Sequence, residues 1–478
     1  MGQSQQLFID GQWVESADGE TFETVNPAAP SETVGTYQQG TREDATQAIE
    51  AAAQAQPGWG NTAAPQRGKI LRKAAANLDE RKTELTELLT DEEGKTLAEA
   101  GGEVQRAIDI FYYYAEQTRD FAGSMHAASS NETTLYTRRE PVGVASLITP
   151  WNYPIAIPAW KLAPALATGN AVVLKPASLA PGVAIGVVQA LADAGLPDGV
   201  VNLVTGPGSQ VGDELVTNEL VDAVSFTGSC SVGEAVYEDA ASREKRVQTE
   251  MGGKNPTIVG ASADLDRAVD LVSAGAFGVT GQACTACSRA IVHTDVYQDF
   301  VDAIVEQAES IEIGPGREAD MGPQVSHGEL DGTLEYIEIA ESEGGSVQTG
   351  GKQLDREGHF IAPTVITDVD PEDTIAQEEI FGPVLAVFEV ESFDDAMDLA
   401  NNVEFGLSSS IVTNDHTEAE RFIREIQAGV AKVNDKTTGL ELHVPFGGFK
   451  RSSSETWREQ GDAGLHFFSI EKTVYENI

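Results

Sequence analysis

The segment 281–289, GQACTACSR, places two cysteines, Cys284 and Cys287, three positions apart. This spacing is compatible with a metal or thiol-redox site, with two buried small residues, or with one activated thiolate. A zinc site needs two further ligands, and neither Cys230 nor the seven scattered histidines supply an obvious pair. A thiolate is a strong nucleophile near neutral pH when a helix N-terminus or neighbouring amides lower its pKa. Cys284 is therefore a candidate nucleophile.

A candidate base lies in the segment 250–256, EMGGKNP, where Glu250 precedes a double glycine. Glycines permit close backbone packing, so this carboxylate can be buried against neighbouring elements. A positioned glutamate can act as a general base. An exposed loop charge is the alternative interpretation, and chemistry alone leaves both open.

Two glycine-rich turns, 205–212 (TGPGSQVG) and 226–233 (FTGSCSVG), follow successive apolar runs. Turns of this kind let a pyrophosphate approach a helix N-terminus. The first departs from the usual dinucleotide fingerprint because Val211 stands where that motif has Gly or Ala, so a plain tight turn is an alternative. The pair predicts a dinucleotide site, with Lys175 at the end of another apolar run facing the same crevice.

Two other motifs are rejected. The segment 94–96, GKT, resembles the end of a phosphate-binding loop, but residues 90–93, TDEE, replace the required upstream glycine. The sequence also contains no G-x-S-x-G elbow, which argues against a serine hydrolase.

The elements that must position these residues follow an α/β pattern. Residues 41–120 predict helices, with an N-terminal cap at Thr41 and apolar residues at helical spacing over 66–89. Further along, short apolar runs alternate with helix-length segments such as 181–194, which predicts a parallel sheet covered by helices on both faces. These runs are 142–148, 171–174, 200–204, 223–226 and 257–259.

A second series of apolar runs predicts a second α/β lobe, with a helix over 296–311. Its runs are 290–293, 384–388, 409–412 and 429–433. Two lobes suit a chain of 478 residues, because single cores stop growing at roughly 250 to 300 residues. Two extended segments, 132–139 and 467–475, lie outside both series and are candidates for pairing with another subunit.

The charge balance is strongly acidic, with 31 basic and 76 acidic residues and a net charge of −45. Hydrophobic residues at 41% can still build cores, so the excess predicts a folded protein with an acidic surface. Such a surface repels nucleic acid and anionic membranes. Because concentrated salt screens self-repulsion, we hypothesise a cytosol adapted to high salt.

No apolar run approaches the roughly 18 residues that span a bilayer, and the N-terminus lacks a basic segment followed by an apolar stretch. Three cysteines are too few for a disulfide framework. We therefore expect a cytoplasmic protein with no membrane partner.

These motifs occur in an order that resembles the aldehyde dehydrogenase superfamily over nearly the whole chain. The resemblance rests on seven landmarks, which are TPWNYP at 149–154, LKPAS at 174–178, FTGS at 226–229, EMGGK at 250–254, GQAC at 281–284, EIFGP at 379–383 and PFGG at 445–448.

The resemblance implies a role for each catalytic candidate. Cys284 attacks the aldehyde, and the Asn152 amide with the Cys284 backbone N–H holds the oxyanion of the thiohemiacetal. Glu250 activates the water that hydrolyses the thioester. Lys161 and Glu459 match positions tied to proton movement. No metal is implied.

It also implies NAD or NADP as hydride acceptor, with Glu379 on the nicotinamide ribose and Phe381 near the ring. The remaining cofactor candidates are Thr149, Pro150, Trp151, Lys175, Ser178, Gly208, Gly212, Phe226, Gly228, Ser229 and Met251. Family members that prefer NAD often carry glutamate at the position of Ser178. Serine lacks the charge that repels a 2′-phosphate, so we predict a preference for NADP.

The implied fold is α/β, with a Rossmann-like cofactor domain, an α/β catalytic domain and a small β oligomerisation element. The expected boundaries are 1–120 with 141–252, then 253–445, and finally 121–140 with 446–478. A homodimer or homotetramer is expected.

Within the family, CTA at 284–286 and the long loop ending in REQG at 458–461 resemble the branch that oxidises 2-oxoglutarate semialdehyde in pentose and sugar-acid degradation. This loop places Ser453 where the common pattern has glycine. Succinate semialdehyde dehydrogenases are the alternative, but they often carry an arginine after the residue matching Phe277, where this chain has Gly278. An alternative from a different functional class is a catalytically silent member of the family that has a structural or binding role.

Overall fold

The computed structural model describes residues 5–477. Its strands are β1 Leu7–Ile9, β2 Gln12–Val14, β3 Thr21–Asn26, β4 Ala29–Gln38, β5 Met125–His126, β6 Thr133–Pro141, β7 Val144–Ile148, β8 Ala171–Lys175, β9 Val201–Leu203, β10 Ala223–Thr227, β11 Arg246–Glu250, β12 Asn255–Val259, β13 Cys287–His293, β14 Ser346–Thr349, β15 Thr364–Thr367, β16 Val384–Val390, β17 Phe405–Gly406, β18 Ser408–Val412, β19 Val430–Val433, β20 Phe449–Lys450 and β21 Ser469–Asn477.

The α-helices are α1 Arg42–Gly60, α2 Ala64–Glu80, α3 Lys82–Glu93, α4 Leu97–Gln117, α5 Ala156–Thr168, α6 Gly182–Asp193, α7 Asp213–Thr217, α8 Cys230–Ser242, α9 Leu265–Ala276, α10 Tyr297–Ser310, α11 His327–Glu343, α12 Thr374–Gln377, α13 Phe393–Asn401, α14 His416–Glu425 and α15 Gly461–Phe467. A π-helical turn, Gly208–Gly212, precedes α7, and 3-10 turns cover Gly278–Gly281 and Thr294–Val296.

The predicted helical region is confirmed as α1 to α4. The Thr41 hydroxyl accepts a hydrogen bond from the Asp44 backbone N–H at 3.3 Å, and the Asp44 carboxylate accepts one from the Thr41 N–H at 2.8 Å. This reciprocal capping box satisfies two N–H groups that the first turn leaves without partners. The predicted helical stretch 66–89 is interrupted at Arg81, where α2 ends and α3 begins.

The first sheet has the order β11-β10-β7-β8-β9-β1-β2, and its five strands from β7 to β11 are parallel. Chain order therefore reverses between β7 and β10. In open α/β sheets, ligands bind outside the carboxyl ends of the strands at such a reversal. The antiparallel β1–β2 hairpin extends the far edge.

The second sheet has the order β14-β15-β16-β13-β12-β18-β19. One assignment was wrong, since the run 257–259 belongs here as β12 and not to the first sheet. The fifth parallel strand of the first sheet is instead β11, whose sequence RVQTE is too polar to form an apolar run. It is an edge strand, so its composition reflects one neighbour and not two.

The extended segments outside both series pair with each other. Strand β21 runs antiparallel to β6 over nine residue pairs from Ser469–Pro141 to Asn477–Thr133, and β5 adds a third strand. The sequence pattern predicts that these segments pair with another subunit, but β6 and β21 of the same chain pair with each other. The outer edge of β21 is unpaired in the described structure, and Tyr475 on it is exposed.

The acidic surface predicts a salt-dependent stability. Arg451 already bonds both Glu234 and Glu404, and the net charge leaves most surface carboxylates without a cation. We expect the melting temperature to rise steeply with KCl up to about 1 M, where the Debye length has fallen to about 3 Å, and to flatten beyond. Circular dichroism melts from 0.1 to 3 M KCl measure this. An unchanged melting temperature below 1 M would contradict adaptation to salt.

Candidate active site

The carboxyl edge of the first sheet carries most of the predicted cofactor residues. Thr149, Pro150 and Trp151 follow β7, Lys175 ends β8, Gly208 and Gly212 bound the π-helical turn after β9, Phe226 lies in β10 with Gly228 and Ser229 beyond it, and Met251 follows β11. Because the strands are parallel, these ends meet at one edge. The sheet therefore gathers side chains that are up to about a hundred positions apart.

The amino ends of three strands of the second sheet lie opposite this edge. Cys284 precedes β13, Glu379 and Phe381 precede β16, and the double glycine precedes β12. The Gly253 N–H donates to Glu379 Oε1 at 3.0 Å. The rings of Trp151 and Phe381 meet edge to face with centroids 5.3 Å apart. The two sheets thus enclose one cleft.

Cys284 is held by an unusual backbone turn. Val279 and Thr280 have φ of 53° and 55°, and Gly281 follows with φ of 69°. A β-branched residue in this left-handed region is an outlier that its surroundings must stabilise. The Glu99 carboxylate does so, because Oε1 accepts a hydrogen bond from the Val279 N–H at 2.6 Å. The strained turn therefore depends on α4.

Asn255 holds the other side of the nucleophile loop. Its side-chain amide donates to the carbonyl of Cys284 at 2.8 Å and to that of Ala286 at 2.9 Å. Its Oδ1 accepts from the Ser408 N–H at 2.9 Å. One buried amide thereby connects the loop to β12 and β18.

The two cysteines of the C-x-x-C pair have different environments. Cys284 is half-buried at the cleft, whereas Cys287 is fully buried in β13, with its sulfur 3.2 Å from Thr257 Oγ1. All three cysteines are free thiols. Residues 5–477 contain no cluster of three metal-ligating side chains that could hold an ion. This arrangement supports a single reactive thiol.

The electrostatics at Cys284 differ from the sequence-based expectation. Burial, together with the carboxylates of Glu379, Glu250 and Glu459, raises the pKa of the Cys284 thiol. Cys284 lies on a loop and not at a helix N-terminus, and the local backbone amide lowers this pKa only weakly. The thiol must therefore give up its proton before the sulfur can act as a nucleophile.

Glu250 ends β11 and is buried. Its Oε2 accepts from the Gly448 N–H at 3.1 Å, while Oε1 accepts no hydrogen bond from a described residue. Burial, and secondly Glu459, raise the pKa of Glu250 well above the ordinary value. An unpaired buried carboxylate oxygen with a raised pKa has the properties of a candidate general base.

Lys161 and Glu459 form a buried ion pair. Lys161 also donates to Ser225 Oγ at 2.7 Å, and that hydroxyl donates to Gln248 Oε1 at 2.9 Å. The backbone of Glu459 pairs with Phe446 in both directions at 2.7 Å, which anchors the end of the long C-terminal loop. The loop thus places the Glu459 carboxylate against the Lys161 ammonium.

Asn152 is buried in the loop between β7 and α5. Its backbone carbonyl accepts a hydrogen bond from the ammonium of Lys95. This contact belongs to the segment 94–96, which sequence analysis rejected as a phosphate-binding loop. The rejection stands, but Lys95 was missed as a site residue because its contact with Asn152 spans 57 positions of the chain.

Lys254 is buried, and Glu379 is half-buried near it without a direct salt bridge. Burial raises the pKa of Glu379 to about 7, and burial lowers the pKa of Lys254 to about 7. A Cβ at Gly252 would lie 1.8 Å from Glu379 Oε2, so the double glycine is needed for this close approach. Phe381 has φ of 59°, which marks a second constrained residue at the cleft.

The crevice at the first sheet fits a dinucleotide. The hydroxyls of Thr149 and Thr227 are buried there without hydrogen-bond partners among the described residues. Lys175 has no salt bridge in the described structure, burial lowers its pKa to about 8, and its side chain lies near Gly212. Buried polar groups without protein partners are expected where a polar ligand supplies them.

Known proteins with similar sequences identify the family that shares this site. The model of the aldehyde dehydrogenase family matches residues 13–474. The chain belongs to the aldehyde dehydrogenase family. This aldehyde dehydrogenase is 63% identical to the alpha-ketoglutarate semialdehyde dehydrogenase of Haloferax volcanii, over 98% of each chain.

Two more relatives extend the comparison. The 2,5-dioxopentanoate dehydrogenase of Saccharolobus solfataricus is 42% identical over 97% of this chain and 98% of its own. The NAD+ complex of an aldehyde dehydrogenase from Bacillus cereus superposes with a TM-score of 0.96 at 35% identity, covering 100% of this chain and 97% of that one. The α/β fold predicted for this aldehyde dehydrogenase is therefore confirmed. Among residues 5–477, no helix has the length and apolar character needed to cross a membrane.

Proposed function

We propose that this aldehyde dehydrogenase oxidises 2-oxoglutarate semialdehyde to 2-oxoglutarate through a thioester on Cys284. The observation that carries the chemistry is the convergence of Cys284 and Glu250 on one cleft. Glu250 ends β11 with its buried Oε1 unpaired, and Asn255, five residues further on, holds the Cys284 carbonyl at 2.8 Å. A nucleophile and a base from different sheets meet there, as covalent catalysis requires.

The proposed reaction begins when the Cys284 thiol, which is half-exposed at the cleft, releases its proton to water and the thiolate sulfur attacks the aldehyde carbon. The oxygen of the resulting thiohemiacetal is held by the Asn152 side-chain amide and the Cys284 backbone N–H. Donors aimed at a developing oxyanion are commonly worth about 2.7 to 4 kcal/mol each. A bound nicotinamide dinucleotide supplies the hydride acceptor, and the carbonyl of a thioester forms as the hydride leaves.

Glu250 then takes a proton from water as the water oxygen attacks the thioester carbon. The C–S bond breaks to give a carboxylic acid and the Cys284 thiolate, and the acid proton returns to the sulfur as the carboxylate product leaves. The proton on Glu250 then passes to Glu459, whose Oε2 is buried without a described partner, while the Lys161 ammonium bonds Oε1 and holds that carboxylate in place. Each of the five predicted catalytic residues therefore has a role in the proposed reaction.

The choice of substrate rests on the C-terminal loop and on the relatives. Residues 284–286 and 458–461 carry the pattern of the 2-oxoglutarate semialdehyde branch, and relatives bearing that substrate in their names match nearly the whole chain. The reaction class fits the last oxidation of pentose or sugar-acid degradation. Succinate semialdehyde is the competing substrate.

Initial rates of NADP and NAD reduction at high KCl test this proposal, with 2-oxoglutarate semialdehyde, succinate semialdehyde and glycolaldehyde compared side by side. We expect the first aldehyde to give the highest kcat/KM. A higher value with succinate semialdehyde would overturn the substrate but leave the reaction class. No turnover with any aldehyde, and an inert Cys284 in thiol labelling, would favour the silent relative.

We also propose that NADP is preferred. Ser178 is exposed after β8 and carries no charge, and Lys175, three positions before it, has no salt bridge in the described structure. Replacing Ser178 with glutamate should lower kcat/KM for NADP by at least about tenfold, because like charges placed together cost more than about 1.4 kcal/mol. The kcat/KM for NAD should stay the same or rise.

A matched Ser178→Gln variant, which has the same size as glutamate but no charge, should change the ratio of kcat/KM for NADP to that for NAD little. A wild-type ratio strongly in favour of NAD would contradict the preference.

For the assembly, we propose a cytoplasmic homodimer or homotetramer with a cofactor domain at 1–120 and 141–252, a catalytic domain at 253–445 and an oligomerisation element at 121–140 and 446–478. The unpaired edge of β21, with Ile470 and Tyr475 exposed, supports pairing with a second copy. Residues of the last segment also contact Glu250 and Lys161. Light scattering at high KCl measures the assembly.

A further inference from the structure

A buried cluster of three charged side chains lies behind the loop that carries Asn152. Glu93 ends α3, Lys95 follows the left-handed Gly94, and Glu103 lies in α4. All three charged residues are at most 5% exposed. Burying charges is costly unless each is paired, so this cluster calls for an explanation beyond filling space.

Lys95 makes contacts in three directions. Its ammonium donates to Glu103 Oε2 at 2.7 Å and to the backbone carbonyl of Asn152, and it lies 4.3 Å from the centre of the Tyr153 ring. Glu93 completes the surroundings, with Oε1 3.6 Å from the ammonium. Both residues of the 152–153 peptide are therefore held by one cation.

Glu103 connects the same cation to α5. Its Oε1 accepts hydrogen bonds from the backbone N–H groups of Ile155 and Ala156, both at 3.1 Å. The residue at the start of α5 supplies no side-chain cap of its own. A buried carboxylate thus replaces the cap and satisfies N–H groups that the first turn leaves free. The catalytic loop is pinned at its carbonyl 152 and at its amides 155 and 156.

We infer that Lys95 is a positioning residue that, with Glu103, orients Asn152 so that its side-chain amide points at the oxyanion. The inference rests on the role proposed for Asn152. A donor stabilises the transition state only where the developing charge will be, and a misplacement of about 1 Å can cost about 10²-fold in rate. Rotation of the 152–153 peptide would produce such a misplacement, and Lys95 opposes it.

A double-mutant cycle between Lys95→Met and Asn152→Ala tests the inference through the burst rate of cofactor reduction. Asn152→Ala should slow the burst about 10²- to 10³-fold. Lys95→Met should slow it by at least about tenfold, because a displaced donor loses part of that effect. The double variant should match Asn152→Ala within about twofold, since Lys95 acts only through Asn152.

Several outcomes separate this inference from the function on which it rests. An unchanged burst in Asn152→Ala would overturn the oxyanion role itself. A slow burst in Asn152→Ala with a normal burst in Lys95→Met, or with multiplied effects in the double variant, would overturn only the positioning role. The matched control is Lys73→Met, which removes a lysine–carbonyl hydrogen bond between α2 and α6, 2.8 Å long, and should leave the burst unchanged.

A second variant covers poor folding of Lys95→Met. Glu103→Gln keeps an acceptor for the two α5 amides but removes the carboxylate that holds the ammonium. It should slow the burst in the wild-type background and add nothing in the Asn152→Ala background. Unchanged labelling of Cys284 by iodoacetamide in these variants would show that the nucleophile loop is intact. An equal slowing of both backgrounds would overturn the inference.

Discussion

Replacing Cys284 with alanine is expected to abolish aldehyde oxidation. The sulfur forms the covalent bond in the proposed reaction, and the neighbouring thiol of Cys287 cannot take its place, because it is buried against Thr257. Loss of the nucleophile from a catalytic unit costs on the order of 10⁴ to 10⁶ in kcat. Initial rates of cofactor reduction at high KCl measure the loss.

Cys287→Ala is the matched control for this prediction. It removes the other thiol of the C-x-x-C pair from the interior of β13 and should leave kcat within a few fold of the wild-type value. A cavity in the core should lower only the melting temperature. Comparable losses in both variants would restore the metal or redox interpretation of the pair and contradict a single nucleophile.

Replacing Glu250 with glutamine is expected to separate the two halves of the reaction. Oxidation to the thioester should still deliver close to one reduced cofactor per site, while hydrolysis stalls because the base is missing. Removing a general base typically lowers the rate by about 10² to 10⁴. Stopped-flow absorbance should therefore show a burst followed by a much slower steady rate.

The pH profile provides a second readout of Glu250. Burial and Glu459 raise its pKa, so the active, deprotonated form gains population as pH rises above the ordinary carboxyl range. Steady-state turnover of the wild-type enzyme should rise with pH through that shifted range, and Glu250→Gln should lose this limb. Hydroxylamine, which cleaves thioesters without a protein base, should accelerate the variant more than the wild type. A variant without a burst would contradict a role confined to hydrolysis.

The secondary structure was largely predictable where local patterns are strong. The capping box at Thr41 and the apolar runs of β7, β8 and β10 are local signals, and each element formed within a few residues of its predicted bounds. Strand β11 escaped detection because an edge strand needs no apolar run. The strands β1 to β4 were not predicted. Strands β1 and β2 have only three residues each, and β3 and β4 lack a regular alternation of buried and exposed residues.

The catalytic residues of the site were predictable from the sequence, but the residues that position them were not. Motif order identified Cys284, Glu250 and Asn152 as candidates, because each of them lies in a short sequence motif that can be recognised without knowing the fold. Lys95 and Glu99 carry no such pattern. Their partners, Asn152 and Val279, are 57 and 180 positions away, so only packing of α4 against both loops reveals them.

The sequence by itself determined the family, the order of the two α/β lobes and which side chains can do the chemistry, because these depend on residue types and short spacings. Only the tertiary structure decided the electrostatic state of those side chains. Burial and three carboxylates from distant segments raise the pKa of Cys284, the reverse of the lowering expected from local amides. A pKa depends on desolvation and on charges that are close in space, and neither quantity can be read from neighbours along the chain.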